Sequence, residues 1–382
     1  MTISAIEPVA VEQAPRLDWP FLLAATLATA LLVALIAVDM QWASAALVLL
    51  GFALGIAFLK FEFSFAAAWR RFISLGQGDG LLAGLLLIAV TAAAIVPITA
   101  LVPGYGGAIA LIGPSLVVGA FVFGIGMQLA NGCGSGTLYT VGGGSGRMLI
   151  TLAFFIAGSV IGSLHLPAAL NLGGIDPVLA KDYFGPWGGL AVTLASLGGV
   201  AALIVAVARR RGAKLWPSRK LIVGAAVIGL LSIALFAAGG HPWSVTFGFT
   251  LWGGKIASAV GIDLSNAAFW QWPGPKHALA NSVLSDTSSL TDFGMILGAM
   301  AAASFSRPFA RNAWPPLASL AAAATGGLLM GWGARLGFGC NIGAFVGGVA
   351  SGSLHGWVWF ACALGGCTVG IRLRPLFGLS RE

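Results

Sequence analysis

The sequence predicts an all-α polytopic membrane protein of about ten spans, nine to eleven, arranged as two inverted five-helix repeats with broken or re-entrant helices at a repeated Gly-Cys motif. Three observations predict it. Runs without a single charge are long enough to cross a bilayer, the basic residues gather in the short connections between them, and a motif around Cys133 returns around Cys340.

Hydrophobic residues make up 58% of the 382 and charged residues 8%, against roughly 45–50% and about 25% in soluble domains. An excess of that size cannot be hidden inside a water-soluble globule. Residues 80–146 contain no Asp, Glu, Lys or Arg, and further charge-free runs cover 19–38, 40–59, 148–175, 183–208, 221–254 and 336–371. A spanning helix needs about 20 mostly apolar residues. The expected spans are 20–38, 43–59, 81–100, 115–131, 148–165, 187–207, 220–238, 290–304, 317–335 and 355–371.

Taken in order, residues 1–18 carry Glu7, Glu12 and Asp18 and lack the basic start and small-residue cleavage site of a secretory signal, so they read as a short retained cytoplasmic tail. Residues 19–208 form the first membrane repeat, 209–220 a basic loop, and 221–382 the second repeat with 239–289 as an insertion. Arg209, Arg210, Arg211, Lys214, Arg219 and Lys220 make this loop the densest in positive charge, which fixes it as cytoplasmic. Lys60 with Arg70 and Arg71, then Arg147, then Arg307 with Arg311, then Arg372 with Arg374 all fall on the same side. Both termini come out cytoplasmic, and the expected location is the inner (plasma) membrane of a bacterium. The net charge of +8 is accounted for by these loops and implies no nucleic-acid partner.

The four cysteines, Cys133, Cys340, Cys362 and Cys367, do not form a secreted-type disulfide framework. His165, His241, His277 and His355 are scattered, and none pairs with a cysteine at zinc spacing, so no metal or other cofactor is expected. The cysteines have to be explained by position.

Setting Cys133 against Cys340, an offset of 207, aligns Gly119 with Gly326, Gly124 with Gly331, Gly126 with Gly333, Leu129 with Leu336, Gly132 with Gly339 and Gly136 with Gly343. A gap of one residue then pairs Ser145-Gly146 with Ser351-Gly352, and Trp69 of FEFSFAAAWRRF pairs more weakly with Trp252 of VTFGFTLWGGK. These two aromatic stretches are short enough to lie in the interface or re-enter. With five spans per half, the span before Cys133 runs inward and the span before Cys340 outward. The halves are then inverted, the arrangement that places a transport site at the midplane between repeats. Taken singly, the glycines also suit close helix packing.

The two units read GIGMQLANGCGSG (124–136) and GWGARLGFGCNIG (331–343). Repeated glycine breaks a helix, and broken backbone at membrane depth is tolerated only where it is buried or lines a cavity. The second half of a broken helix starts with free N–H groups that, with the dipole, attract anions. A thiol is a polarizable weak donor, so a pair of them suits a soft sulfur-bearing anion. Cys133 and Cys340, with Gly132 and Gly339, are therefore placed on a substrate path. Asn131 and Asn341 flank the cysteines and either donate to substrate oxygens or cap the breaks. Gln128 and Arg335 occupy equivalent positions, and Arg335 either faces the anion or snorkels to the interface. Cys362 and Cys367 read as small buried hydrophobes. Ser285, Asp286, Thr287, Ser288, Ser289 and Asp292 form a polar cluster explained by capping of a helix start. GGGSGR (142–147) is no phosphate loop, since no Lys-Ser/Thr follows it.

The paired motifs, together with GHPWSVTFGFTLWGGKIA (240–257) and SVLSDTSSLTDFGMILGAMAAA (282–303), resemble the YeeE/YedE sulphur-transport family, whose characterised members take up thiosulfate. The match runs from about residue 45 to the end. The resemblance implies inverted repeats with hourglass-like constrictions and a path along which cysteine thiols hand the anion on, Cys133 and Cys340 being the matching positions. A further path cysteine has no obvious counterpart here. The resemblance also implies a small cytoplasmic sulfur-carrier protein as a partner.

Uptake of thiosulfate as a non-enzymatic transport step is thus the expected function. Sulfite, sulfide or a selenium species are alternative cargoes, and a sulfurtransferase acting through a cysteine persulfide is an alternative of another class. Asp39, Glu62, Asp79, Asp176, Asp182 and Asp263 fall at span ends or in loops. With no proton relay in view, the sequence favours facilitated passage pulled by sulfur metabolism inside.

Overall fold

Each of the ten expected spans falls on one helix. The computed structural model describes residues 17–39, 42–305 and 315–381; the tail up to residue 16, and Arg307 and Arg311 of the basic side, lie outside the described residues. The helices are α1 (Trp19–Asp39), α2 (Trp42–Phe61), α3 (Phe65–Leu75), α4 (Asp79–Leu101), α5 (Pro114–Ala130), α6 (Gly134–Gly142), α7 (Gly146–Leu170), α8 (Ala180–Arg210), α9 (Arg219–Gly239), α10 (Thr246–Ala259), α11 (Ala268–Gln271), α12 (Pro273–Ala280), α13 (Thr287–Ser304), α14 (Leu317–Leu336), α15 (Gly347–Ala350) and α16 (Leu354–Leu373), with a π-helical segment at Asn341–Val346. Among the described residues there is no strand, only the isolated bridges Ile112–Ile175 and Leu179–Ser353.

Among the described residues nine helical stretches are long and apolar enough to cross a membrane, which makes this a polytopic membrane protein. Helix α13 is not among the nine, because its first two turns carry Thr287, Ser288, Ser289, Thr291 and Asp292. The two short aromatic stretches become α3 and α10, each too short to span. Helix α3 starts on a Ser64 cap that accepts from the Ala67 N–H, and it stops at Gly76, whose left-handed φ of 73° closes the turn.

The packing is dominated by backbone meeting backbone. Helix α5 lies between α14 and α16, α14 between α5 and α7, α2 against α13, and α4 against α9. A Cβ at Gly119 would stand 2.2 Å from the Gly337 nitrogen and 2.8 Å from the Gly333 oxygen, and one at Gly126 would stand 2.6 Å from the Gly326 oxygen. Helices α5 and α14 therefore run antiparallel with their small-residue faces together, so these glycines serve packing. The same holds for α2 and α13, where a Cβ at Gly298 would lie 1.9 Å from the Phe52 oxygen. The basic loop after α8 folds back on the α2–α4 end through Lys214–Asp79 at 2.7 Å and Lys220–Glu62 at 2.9 Å.

Candidate functional site: the meeting of two broken helices

Both Gly-Cys motifs break their helices, and they do so with the same backbone. Helix α5 ends at Asn131 in the left-handed region (φ 63°), and α14 is followed by Phe338, the equivalent residue, at φ 60°. The cysteines then sit extended at the head of the next segment, Cys133 at φ −95°, ψ −170° and Cys340 at φ −105°, ψ −166°. Asn131 tolerates that conformation through its short polar side chain. At the second break Phe338 takes that conformation and Gly339 adds a second positive φ, of 148°, which only glycine adopts readily.

The breaks converge. A Cβ on Gly134, the first residue of α6, would lie 3.1 Å from Cys340 Sγ and 3.8 Å from the Thr246 methyl at the head of α10. One on Gly343 would lie 3.2 Å from Ser244 Oγ. The starts of α6, of the π-helical segment and of α10 thus meet around Cys340, and both cysteines are buried there, Cys133 at 2% exposure and Cys340 at 1%. A cavity of about 110 Å³, lined by His241, Ser244, Thr287 and Ser288 among others, reaches Ser244 from the end of α9 remote from the basic loop. The first N–H groups of α6 and α10 have no partner within their own helices, and that suits a bound anion.

The remaining residues of the motifs divide between two places. Asn131 is exposed, and its Oδ1 accepts from Arg70 at 2.6 Å and from Arg374 at 3.5 Å. Arg374 also donates to the Gln128 carbonyl at 2.6 Å, while Arg147 donates to the carbonyls of Ala130 and Leu129. Three guanidinium groups thus occupy the negative end of the α5 dipole. Gln128 is fully buried, its amide donating to the Ala66 carbonyl at 3.2 Å and its Oε1 left without a partner. Gly132 packs on Met148, and Cys367 lies beside Gln128 and Arg70.

Arg335 reaches toward α10 and α11. It donates to Thr250 Oγ1 at 3.3 Å and stands over the Phe269 ring at 5.4 Å and the Phe247 ring at 6.0 Å. Asn341, next to Cys340, is 0% exposed, and neither its nitrogen nor its oxygen has a partner. Buried amides are normally hydrogen-bonded, so Asn341 has donor and acceptor capacity to offer beside the Cys340 thiol.

Sequence reasoning missed Ser244 and Thr246, the three arginines at the end of α5, and Asp292, which is wholly buried in the second turn of α13 while Asp286 does the capping. The signal for the first two was the shortness of the aromatic stretches, which forces their ends into the membrane interior. The arginines carry no local signal, since their partners lie 17 to 246 residues away.

Comparison with known proteins gives the same direction. The family described as sulphur transport matches residues 60–369. Two proteins named probable transporter YedE, from Salmonella typhimurium and Escherichia coli, are each 32% identical over 166 residues, covering 43% of this chain and 40% of theirs. In those alignments the chain spans under half the length of the relatives. A protein named thiosulfate transporter TsuA, from Spirochaeta thermophila, is 28% identical over 261 residues, covering 63% of this chain and 72% of the relative.

Proposed function

The chain belongs to the sulphur transport family, and we propose that it carries thiosulfate across the bacterial inner membrane through the point where its two broken helices meet. The observation that carries this reading is Cys340 packed against Gly134, with the unpartnered Asn341 amide beside it. The thiol offers a soft, weak contact to a sulfur atom, and the amide and the first N–H groups of α6 and α10 offer donors to oxygen. No fixed positive charge sits on these atoms, so the anion is held weakly enough to leave. The name of the Spirochaeta thermophila relative supports thiosulfate as the cargo.

Exchanging α2 with α9, α3 with α10, α4 with α13, α5 with α14 and α7 with α16 maps the main contacts onto one another, for example α2–α13 onto α9–α4 and α5–α16 onto α14–α7. That is the pattern expected of an inverted repeat, and since α4–α8 maps onto α13–α1 in the same exchange, α8 is the counterpart of α1 and opens the second half, so the boundary lies before α8 and not at the basic loop. In this reading the basic loop and both termini face the cytoplasm, the Ser244 cavity opens to the outside, and the anion passes Cys340 and then Cys133 toward the Arg70–Arg374 end. Release there suits a cytoplasmic sulfur-carrier protein. A dianion entering against about 100 mV, inside negative, faces roughly 2.3 kcal/mol per charge, so uptake has to be driven.

Uptake of labelled thiosulfate by cells or proteoliposomes tests the reading. Wild-type protein is expected to take it up and Cys133→Ala/Cys340→Ala protein to fail. Full uptake by the double variant would sink the cysteine path.

A further inference from the structure

A carboxyl group shares the interior of the molecule with the two cysteines and has nothing to hold its charge. Asp292 is 0% exposed, and neither Oδ1 nor Oδ2 has a hydrogen-bond partner. A carboxylate without donors in a membrane interior is costly, and such residues mark ion and proton pathways. Its room is made by Gly248 of α10, where a Cβ would lie 2.7 Å from Asp292 Oδ2.

Two titratable groups lie within electrostatic range of this carboxyl, Asp286 on its own element and Cys340 across the break. The helices packed on α13 add little else. Helix α2 brings Lys60 at its last turn, and α6 brings Tyr139, stacked on Phe58. Helix α10 brings Lys255, whose ammonium donates to the Leu279 and Asn281 carbonyls at 2.6 Å each. No cation is thus directed at Asp292 by these helices.

A second acid stands between Asp292 and solvent, without a hydrogen bond to Asp292 itself. Asp286 lines a cavity of about 280 Å³ together with His277, Asn281 and Ser282. Its Oδ2 accepts from both the backbone N–H and the hydroxyl of Ser289 at 2.7 Å. The Ser289 nitrogen in turn lies 3.4 Å from the same Gly248 position that Asp292 crowds. Burial pushes the Asp286 carboxyl up, which lets it hold a proton in transit.

We propose that Asp292 is a proton-binding site, loaded from the Asp286 side, and that its protonation is coupled to occupancy of the Cys340–Asn341 step by the anion. The proposal rests on the transport reading above and deepens it. A neutral acid beside the path offers a hydrogen-bond donor to a dianion, whereas an ionised one repels it, so proton and anion each favour the binding of the other. One proton moving with one dianion cancels one of its two charges. Acid on the Asp286 side promotes anion binding, and loss of the proton promotes release.

The test uses purified full-length protein in liposomes. Wild-type thiosulfate uptake is expected to rise at least about fivefold when the Asp286 side is made more acidic than the other. Asp292→Asn, which keeps shape and neutrality, should lose the acceleration. Infrared spectra of the wild type should show a carboxylic-acid C=O band, titrating with pH, that the variant lacks. Gradient-driven acceleration that survives in Asp292→Asn, or identical carboxyl bands in the two proteins, would overturn the proposal. Absence of thiosulfate uptake by the wild type at every pH would count against the transport reading, while the Asp292 site would still stand or fall on the infrared band, which needs no substrate.

Discussion

At the first break nearly every polar group is engaged. Cys133 Sγ accepts from the Gly136 N–H at 3.4 Å and lies 3.5 Å from Ser135 Oγ, Asn131 holds two arginines, and Arg147 and Arg374 cap the carbonyl end of α5. At the second break the equivalent side chains are left bare. Cys340 has no capping bond, Asn341 has no partner on either amide atom, and a π-helical turn replaces the regular helix. The two halves therefore share a geometry and divide the labour. Satisfied groups hold a shape, and unsatisfied buried groups wait for a ligand.

Glycine substitution offers the hardest way to break this comparison. At Gly339 an added Cβ meets both a φ of 148° and the Ala344 nitrogen at 2.8 Å, while at Gly132 it meets only the flexible Met148 Cε at 3.3 Å. Gly339→Ala is expected to lower stability by about 1–3 kcal/mol from strain alone, read as a fall in melting temperature in detergent. Gly132→Ala should lie close to wild type. Equal losses in the two would show that the second break is not the tighter one.

Asparagine substitution sharpens it. Asn341→Ala removes a donor from the anion, for which a charged-group hydrogen bond of about 1.5–3 kcal/mol predicts a rise in KM of roughly tenfold to a hundredfold. Asn131→Ala should leave KM alone and loosen the fold by about 1 kcal/mol as Arg70 and Arg374 lose their acceptor. Transport kinetics and thermal melting on the same preparations separate the two outcomes. The smallest effect is expected at Ser135, whose contact to Cys133 is long. Ser135→Ala should change uptake by less than about twofold and stability by less than about 0.5 kcal/mol.

Much of the fold was legible because a bilayer admits so few solutions. Charge-free runs had to become helices, and the expected spans 20–38 and 220–238 did so almost to the residue. The breaks at Cys133 and Cys340 were legible from their glycines, which cannot continue a helix at little cost. What a local pattern could not reveal is which of two equivalent residues would be satisfied. Gln128 and Arg335 align in sequence, yet one is buried under α3 while the other reaches the Phe269 ring. Asp292 was hidden for a related reason. Ser, Thr and Asp near a helix start all resemble caps, and only the folded chain shows that Asp286 has taken that role and left Asp292 inside.

The α5–α14 seam has a mechanical consequence. Where Gly119 faces Gly333 and Gly126 faces Gly326, backbone touches backbone and no rotamer lies between to absorb a displacement. Such a joint behaves as a stiff spine, transmitting force and not yielding to it. Any gate that opens and recloses during turnover then belongs to the short pieces around it, α6, α10 and the π-helical turn. A covalent clamp between α5 and α14 is expected to leave uptake intact, while one between α6 and α10 should stop it, and arrest by the first clamp would show that the spine itself has to flex.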